Sequence, residues 1–504
     1  MLDRERYTRR QLTAGGAAAA LALYLPLPRP AFAGGAVTGE YDDGDEEVPG
    51  GVEGDPERVI VIGAGLAGLA AANALRNAGV ETIVLEARSR LGGRANTRDL
   101  GDAYTDLGCY WIHEPIGNPM TRYARQAGVE QTGADIELDL ATIRVFDQVR
   151  GENVALPDFV AAFARGTEFD ERLGEYAERL GPGSSIRDGA RAYLDDAGLT
   201  GDDRRYAEFA IRVVTEQTDN AFWHAISLPA SAAYEAPYDG VGQGDTPRGG
   251  YRRIVNALAA GAEVRFRHRA DAVERTRGGV AIEALRYGPR GPRRVVLRGS
   301  HAIVTVPLGV LKHGSVRFAP GLGARKRAAI DGIGFGRFEK VSMLFEEPFW
   351  QAGGKTHIIN IGDRPPVQFS ITLDHQKLNG FPALTAIAAG RYARTIQGLG
   401  AQQRTALVLG ILDRIFGRRV PRPIAVRASD WRNDPFARGS YSYIRRGHMF
   451  EQLDVLSEPV GGRLLFAGEA TSRARFGYSD GAFSSGIREA KRLLQSPSVT
   501  LSAG

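Results

Sequence analysis

Cysteine is nearly missing from this sequence: Cys109 is the only one in 504 residues. Intrachain disulfides and cysteine-rich metal sites are therefore excluded, and no metal site is expected. Long hydrophobic runs are missing as well. The apolar stretch at 14–27 has 14 residues, short of the ~20 that a membrane-spanning helix needs. An excess of one charge is also lacking. There are 64 Lys+Arg against 59 Asp+Glu, a net charge of +5. That is too even for the concentrated basic face on which nucleic-acid binding depends. Lysine stands only at 312, 326, 340, 355, 377 and 491, an arginine preference of the kind a GC-rich genome imposes. What remains is 43% hydrophobic and 24% charged, the make-up of a soluble globular protein. At ~150 residues per domain the length allows two or three domains.

The first 33 residues read as an address. Arg9 and Arg10 precede the weak apolar stretch, Arg29 follows it, and Ala31-Phe32-Ala33 offers a small-x-small cleavage site. The adjacent arginines make this a twin-arginine export signal, which a receptor reads and which is not an anchor. The expected course is folding around a cofactor, then export by the twin-arginine machinery to the periplasm or beyond. Residues 34–56 are glycine- and acid-rich (Asp42, Asp43, Asp45, Glu46, Glu47). They bury too little to offset their ordering entropy and are expected to be a flexible linker.

The folded part opens on residues 58–62 (RVIVI), which suit a strand buried on both faces. Gly63-Ala64-Gly65-Leu66-Ala67-Gly68 follows, then a helix-forming stretch to Gly79 and a second strand, 81–85, ending at Glu86. Strand, GxGxxG, helix, strand and acid in this order predict a dinucleotide site. Gly63 permits the turn, Gly65 lets the backbone approach a pyrophosphate, and Gly68 lets helix and strand pack closely. The helix N-terminus favours the phosphates, and the Glu86 carboxylate suits a ribose diol and opposes a 2′-phosphate.

The motif alone does not separate NAD from FAD. Its continuation, Glu86-Ala87-Arg88 and then Gly92-Gly93-Arg94, resembles the flavin-containing amine oxidase family, of the polyamine oxidase and monoamine oxidase kind. Further blocks follow in the family's order: Leu107-Gly108-Cys109-Tyr110-Trp111-Ile112-His113, Gly249-Gly250-Tyr251, Ile303 to Leu311, Gly334 to Lys340, Trp431 with Gly439-Ser440-Tyr441, and Phe466-Ala467-Gly468-Glu469 with Gly477-Tyr478.

The resemblance implies roles residue by residue. FAD would be held by Gly63, Gly65, Leu66, Ala67, Gly68, Glu86, Ala87, Arg88, Gly93, Arg94, Gly108, Tyr110, Trp111, Gly468 and Glu469. Val273, in a strand expected over 263–275, would meet the adenine through its backbone, and Trp431 would pack on the flavin ring. A helix starting near Gly477, with Ser479 and Ala482, would point its N-terminus at the ring's pyrimidine edge. Lys340 would assist reoxidation by dioxygen, and Tyr441 and Tyr478 would cage the amine. Trp111 and His113 would line the substrate passage. Glu114 and Asp480 depart from the family's pattern. Near the passage such acids attract a second ammonium, although an acid there is more often solvated or paired with arginine. Ser440 stands where some relatives carry a cysteine bonded to FAD, so the cofactor is expected to be non-covalent.

Residues 157–217 carry apolar residues at helical spacing and read as the helical part of a substrate domain; nothing in them speaks of chemistry. Residues 286–298 form a basic patch at a Gly/Pro turn, expected to be a solvated hairpin and no nucleic-acid site. The expected fold is α/β: a Rossmann-type FAD-binding domain assembled from 57–115, 248–305 and 455–495, and an α+β substrate domain from 116–247 and 306–454. The expected reaction is oxidation of a polyamine or related aliphatic amine to an imine, with dioxygen or an electron carrier as acceptor and hydrogen peroxide as the product of dioxygen. The alternatives are an L-amino-acid or alkaloid amine oxidase or dehydrogenase, or a flavin-binding protein without turnover.

Overall fold

A computed structural model of the chain describes residues 58–495 except 133–142, 236, 239–243, 277, 352–356, 363–370, 375–379 and 397. The expected export signal and the acidic linker lie outside the described residues.

The β-branched runs form a five-stranded parallel sheet. Its strands are β1 (Val59–Ile62), β2 (Thr82–Glu86), β3 (Glu263–Phe266), β4 (His301–Val304) and β5 (Leu464–Phe466), in the order β5-β4-β1-β2-β3. All pairings are parallel. Both faces are covered, and strand alternation divides β1 between two cores. Val59 and Val61 pack against the helices α1 (Leu66–Asn77) and α2 (Ser479–Leu494). Ile60 and Ile62 pack against a four-stranded sheet built from His268–Arg275, Val280–Gly288, Gly291–Gly299 and Arg317–Ala319. The basic stretch at 286–298 falls in the hairpin of that sheet.

One expectation is corrected here. The strand read over 263–275 breaks at Arg267, whose φ is +58°. Its first half joins β2 and its second half joins the four-stranded sheet. Segments beyond 115 and 305 also pack on this half of the molecule. Met120 and Ala124 of helix Pro119–Gln126 sit in the α1–α2 core, and Arg317–Ala319 pairs in parallel with His268–Arg275.

The second half is built on a seven-stranded mixed sheet whose strand Phe338–Leu344 lies between Ala383–Ala389 and Ala425–Ala428. The helical spacing at 157–217 resolves into four helices, Leu156–Glu171, Leu173–Leu180, Ile186–Asp196 and Gly201–Thr218. The last of these ends beside the cavity described next. Among the described residues no helix is long and apolar enough to cross a membrane.

Candidate active site

A cavity of about 810 Å³ lies outside the carboxyl ends of β1, β2, β4 and β5 and extends into the second half of the molecule. Ligands of open α/β sheets bind outside the carboxyl ends of the strands. The turn after β1 is shaped for a close approach. Gly63 has φ +111°, and a Cβ there would stand 2.7 Å from Thr305 Oγ1, whose hydroxyl donates to Ile62 O and Gly63 O. A Cβ on Gly68 would stand 1.9 Å from Gly63 O, so Gly68 seats α1 against the turn and does not itself line the cavity. The α1 N-terminus has Gly65 at its cap and no side-chain acceptor there, leaving first-turn N–H groups for a ligand. At the end of β2, Glu86 accepts from Ala64 N at 2.9 Å and Arg88 N at 2.8 Å.

The cavity brings together nearly all the residues singled out from sequence. Gly63, Gly65, Leu66, Ala67, Glu86, Ala87, Arg88, Gly93 and Arg94 line it, as do Gly108, Tyr110, Trp111 and His113. Lys340, Trp431, Tyr441, Gly468, Glu469, Gly477, Tyr478, Ser479 and Ala482 complete that set. Two do not line it. The side chain of Val273 is fully buried between the parallel sheet and its cover, which leaves the expected contact, one through its backbone, untested; the nearby wall is made by Arg269, Ala270 and Asp271. The break at Arg267 resets the strand's alternation, which the sequence pattern did not reveal. Glu114 is fully buried and bound to Arg475, so of the two readings of this acid, pairing with arginine holds. Asp480 is paired with the same arginine.

Lys340 sits in the middle of the cavity wall at 2% exposure. Its Nζ donates to Gly108 O at 2.8 Å and Asp106 O at 3.1 Å, and lies over Tyr110, Trp111 and Phe338. Burial lowers its pKa to about 8, with the Asp106 carboxylate pulling upward. Aromatic rings continue from there. Phe338 leads to Tyr441 at 6.0 Å, and Trp111 leads to His113 at 6.0 Å and on to Tyr478 at 5.4 Å. Burial keeps both tyrosine hydroxyls protonated far above their usual range.

Tyr441 and Trp431 are fixed by polar anchors. Tyr441 donates its hydroxyl to Gln217 O at 2.6 Å, satisfying a carbonyl at the C-terminus of helix Gly201–Thr218. Asn220 Nδ2 donates to Tyr441 O at 3.2 Å. Glu469 accepts from Arg94 at 2.8 Å, Gly477 N at 2.9 Å and the Ser442 hydroxyl. One carboxylate thus ties the Gly93-Arg94 turn to the segments carrying Tyr441 and Tyr478. Trp431 Nε1 donates to Leu107 O at 3.2 Å.

Sequence reasoning missed several cavity or supporting residues. Thr218 and Asp219 line the cavity at the end of a helix whose pattern shows only packing. Arg438 lines it too, and its Nε is buried without a hydrogen-bond partner among the described residues. Arg475 and Glu339 act from behind the wall. No local signal marks an arginine in a chain with 64 Lys+Arg.

The family model for flavin containing amine oxidoreductases matches residues 66–494. A lysine-specific histone demethylase 1 homolog 2 from Arabidopsis thaliana is 33% identical over 459 residues, covering 88% of this chain and 59% of the relative. This chain therefore spans less than two thirds of that relative's length. A polyamine oxidase 4 from Oryza sativa subsp. japonica is 29% identical over 472 residues, covering 88% of this chain and 91% of the relative. Among solved structures, a putrescine oxidase bound to putrescine superposes with a TM-score of 0.70 at 20% identity, covering 87% of this chain and 99% of that one.

Proposed function

The chain belongs to the flavin-containing amine oxidoreductase family, and on that premise we propose that it oxidises an uncharged aliphatic amine bound at the aromatic end of the cavity. The residues present fit FAD. The glycine turn and open α1 N-terminus suit the pyrophosphate, Glu86 suits the ribose, and Arg438 holds an unsatisfied buried donor toward the cavity. Bound FAD supplies the two-electron acceptor for the hydride leaving the carbon next to nitrogen. Trp431 and Lys340 would border its ring system, and Ser440 leaves it without a covalent bond. The Ser440 hydroxyl is already committed to the backbone of Phe338.

The observation that carries this reading is Lys340: an amine buried on a cavity wall, held by two carbonyls and ringed by aromatics. Two of its donors are used, which leaves a third to hold a water or pass a proton in the cavity that Lys340 lines. A pKa near 8 lets both forms be populated near neutrality. The caging rings desolvate the incoming amine, and only a neutral nitrogen has the lone pair that stabilises the developing iminium. Overall, amine, dioxygen and water give aldehyde, the smaller amine or ammonia, and hydrogen peroxide.

A polyamine or diamine is the preferred substrate class. Asp219 puts a carboxylate on the cavity wall at a helix C-terminus, where the dipole also favours a second ammonium. The 33% identity to a histone demethylase homolog favours a second reading, oxidation of an N-methylated lysine side chain in a peptide. The Arg9-Arg10 leader supports export by the twin-arginine route. Anaerobic bleaching of the flavin by polyamines, monoamines, amino acids and methyl-lysine peptides tests the proposal. Bleaching by one amine class carries it, and a chromophore that stays oxidised with every compound overturns it.

A further inference from the structure

Four arginines line the cavity, Arg88, Arg94, Arg269 and Arg438, and three of them are already held by carboxylates. Arg88 meets Asp434 at 2.8 Å, Arg94 meets Glu469 at 2.8 Å, and Arg269 meets Asp271 at 2.7 Å. Arg438 makes no ion pair among the described residues, and its buried Nε has no hydrogen-bond partner there. The segment carrying it is fastened to the glycine turn after β1. Gly92 N donates to Ala64 O at 2.8 Å, and Gly92 bridges Gly65, so the stretch 88–94 rests on that turn. Arg88 and Arg94, at its two ends, donate to the Asp434 carboxylate and to Ser440 O. Arg438 lies between these two points of attachment. The same segment packs on the chain leaving β4, where a Cβ on Gly309 would stand 2.6 Å from Ala437 O and 2.8 Å from Arg438 O. Arg438 itself has φ +58°, a backbone that glycine adopts freely and a long side chain seldom does.

We propose that Arg438 is a cofactor-binding residue that holds the diphosphate of FAD together with the α1 N-terminus. A diphosphate carries two negative charges, and the helix end answers them with N–H groups and a partial charge. A full counter-charge has to come from a side chain, because a buried anion left unpaired is costly. The three paired arginines are already neutralised. Glu86, the remaining carboxylate at this end, spends its charge on the Ala64 and Arg88 amides. Arg438 is the cation left over, and its planar fork suits two phosphate oxygens at once. The inference rests on the reading that the cavity holds FAD, and not on which amine is oxidised.

The test uses the FAD-loaded full chain. Affinity is read from the flavin fluorescence regained on dilution, and the diphosphate is observed directly by phosphorus NMR. Arg438→Gly removes the guanidinium and suits φ +58°, so its circular dichroism is expected to match wild type. Its affinity for FAD is expected to fall by ~10–10²-fold, and at least one of the two phosphorus resonances is expected to move. Arg438→Lys keeps the charge without the fork and is expected to recover part of the affinity; it also serves if the glycine variant does not fold, because its FAD affinity should still lie below wild type. An affinity equal to wild type in either variant overturns the proposal. So do weakened binding with both phosphorus resonances in place, which would mark a role in shaping the loop alone, and a wild type that holds no FAD. A chain that shows the expected losses yet is bleached by no amine would overturn the proposed oxidation and leave this assignment standing.

Discussion

The Trp431 amide donates to the Glu339 carboxylate at 3.0 Å. The other carboxylate oxygen takes the Ser429 hydroxyl at 2.5 Å, and Ser429 in turn accepts the Lys340 amide at 2.8 Å. A fully buried acid next to Lys340 in the strand thus locks that strand to the segment carrying Trp431, with buried Arg404 as its counter-charge. Burial raises the Glu339 pKa to about 7 against the hydrogen bond from Ser429 and the charge of Arg404.

Glu339→Gln is expected to destabilise the protein, because it removes an acceptor and leaves Arg404 without its inner partner, at a cost of about 3 kcal/mol. The cost depends on pH. A carboxyl with a raised folded pKa stabilises fully below its unfolded value of 4.5 and loses that stabilisation as pH rises through about 7. The amide does not titrate, so the gap between wild type and Glu339→Gln should narrow from pH 4.5 to pH 7.5. Thermal unfolding of both proteins across that range checks it; a widening gap would mean that Glu339 is ionised throughout.

Lys340→Met is expected to slow reoxidation by dioxygen by ~10²-fold and to change anaerobic reduction by amine much less. The two half-reactions, followed separately by stopped flow, give the answer, and equal losses in both would remove the proposed role. In wild type the lysine loses its proton near its lowered pKa of about 8. A step in reoxidation with an apparent pKa near 8 should therefore disappear in the variant. His113, lowered to about 3, stays neutral over the same range and should add no step.

Much of this was legible because it is written locally. The turn at Gly63 to Gly68, the acid at Glu86 and the burial of residues 59–62 depend on neighbours in sequence, and each lies where the pattern put it. The positions of Lys340, Tyr441 and Tyr478 on one cavity came from the resemblance of whole blocks, since nothing about a lone tyrosine distinguishes a cage from a core. What failed is long-range. The break at Arg267 hides in an alternating segment that reads as one strand. Glu114, Arg475 and Asp480 form one unit only after the fold brings segments about 360 residues apart together, so the sequence allowed pairing with an arginine without showing which one.

Acid precipitation of the purified yellow protein should release FAD into the supernatant. The hydroxyl of Ser440 takes the Phe338 amide at 2.6 Å and donates to its carbonyl at 3.1 Å, and an alcohol so placed forms no thioether. Cys109 also lines the cavity, but burial first and then the Asp106 charge raise its pKa well above the usual thiol range, which withholds the thiolate that such bonding needs. Flavin remaining with the precipitate would point to Cys109.

Glu86 offers the most direct test of the cofactor end. Its two oxygens already accept the Ala64 and Arg88 amides, so the carboxylate holds the glycine turn in place as well as lining the cavity, where it would meet a ribose. In Glu86→Gln one of those acceptors becomes an N–H directed at another N–H, and the diol loses a charged acceptor. Loss of a charge-assisted hydrogen bond costs about 1.5–3 kcal/mol, so FAD affinity should fall by ~10–10²-fold while the parallel sheet, whose core lies below the turn, stays folded. Titration of apoprotein with FAD, read by quenching of flavin fluorescence and set beside circular dichroism, separates the two effects. An unchanged affinity would mean that the ribose is held elsewhere and that Glu86 serves the turn alone.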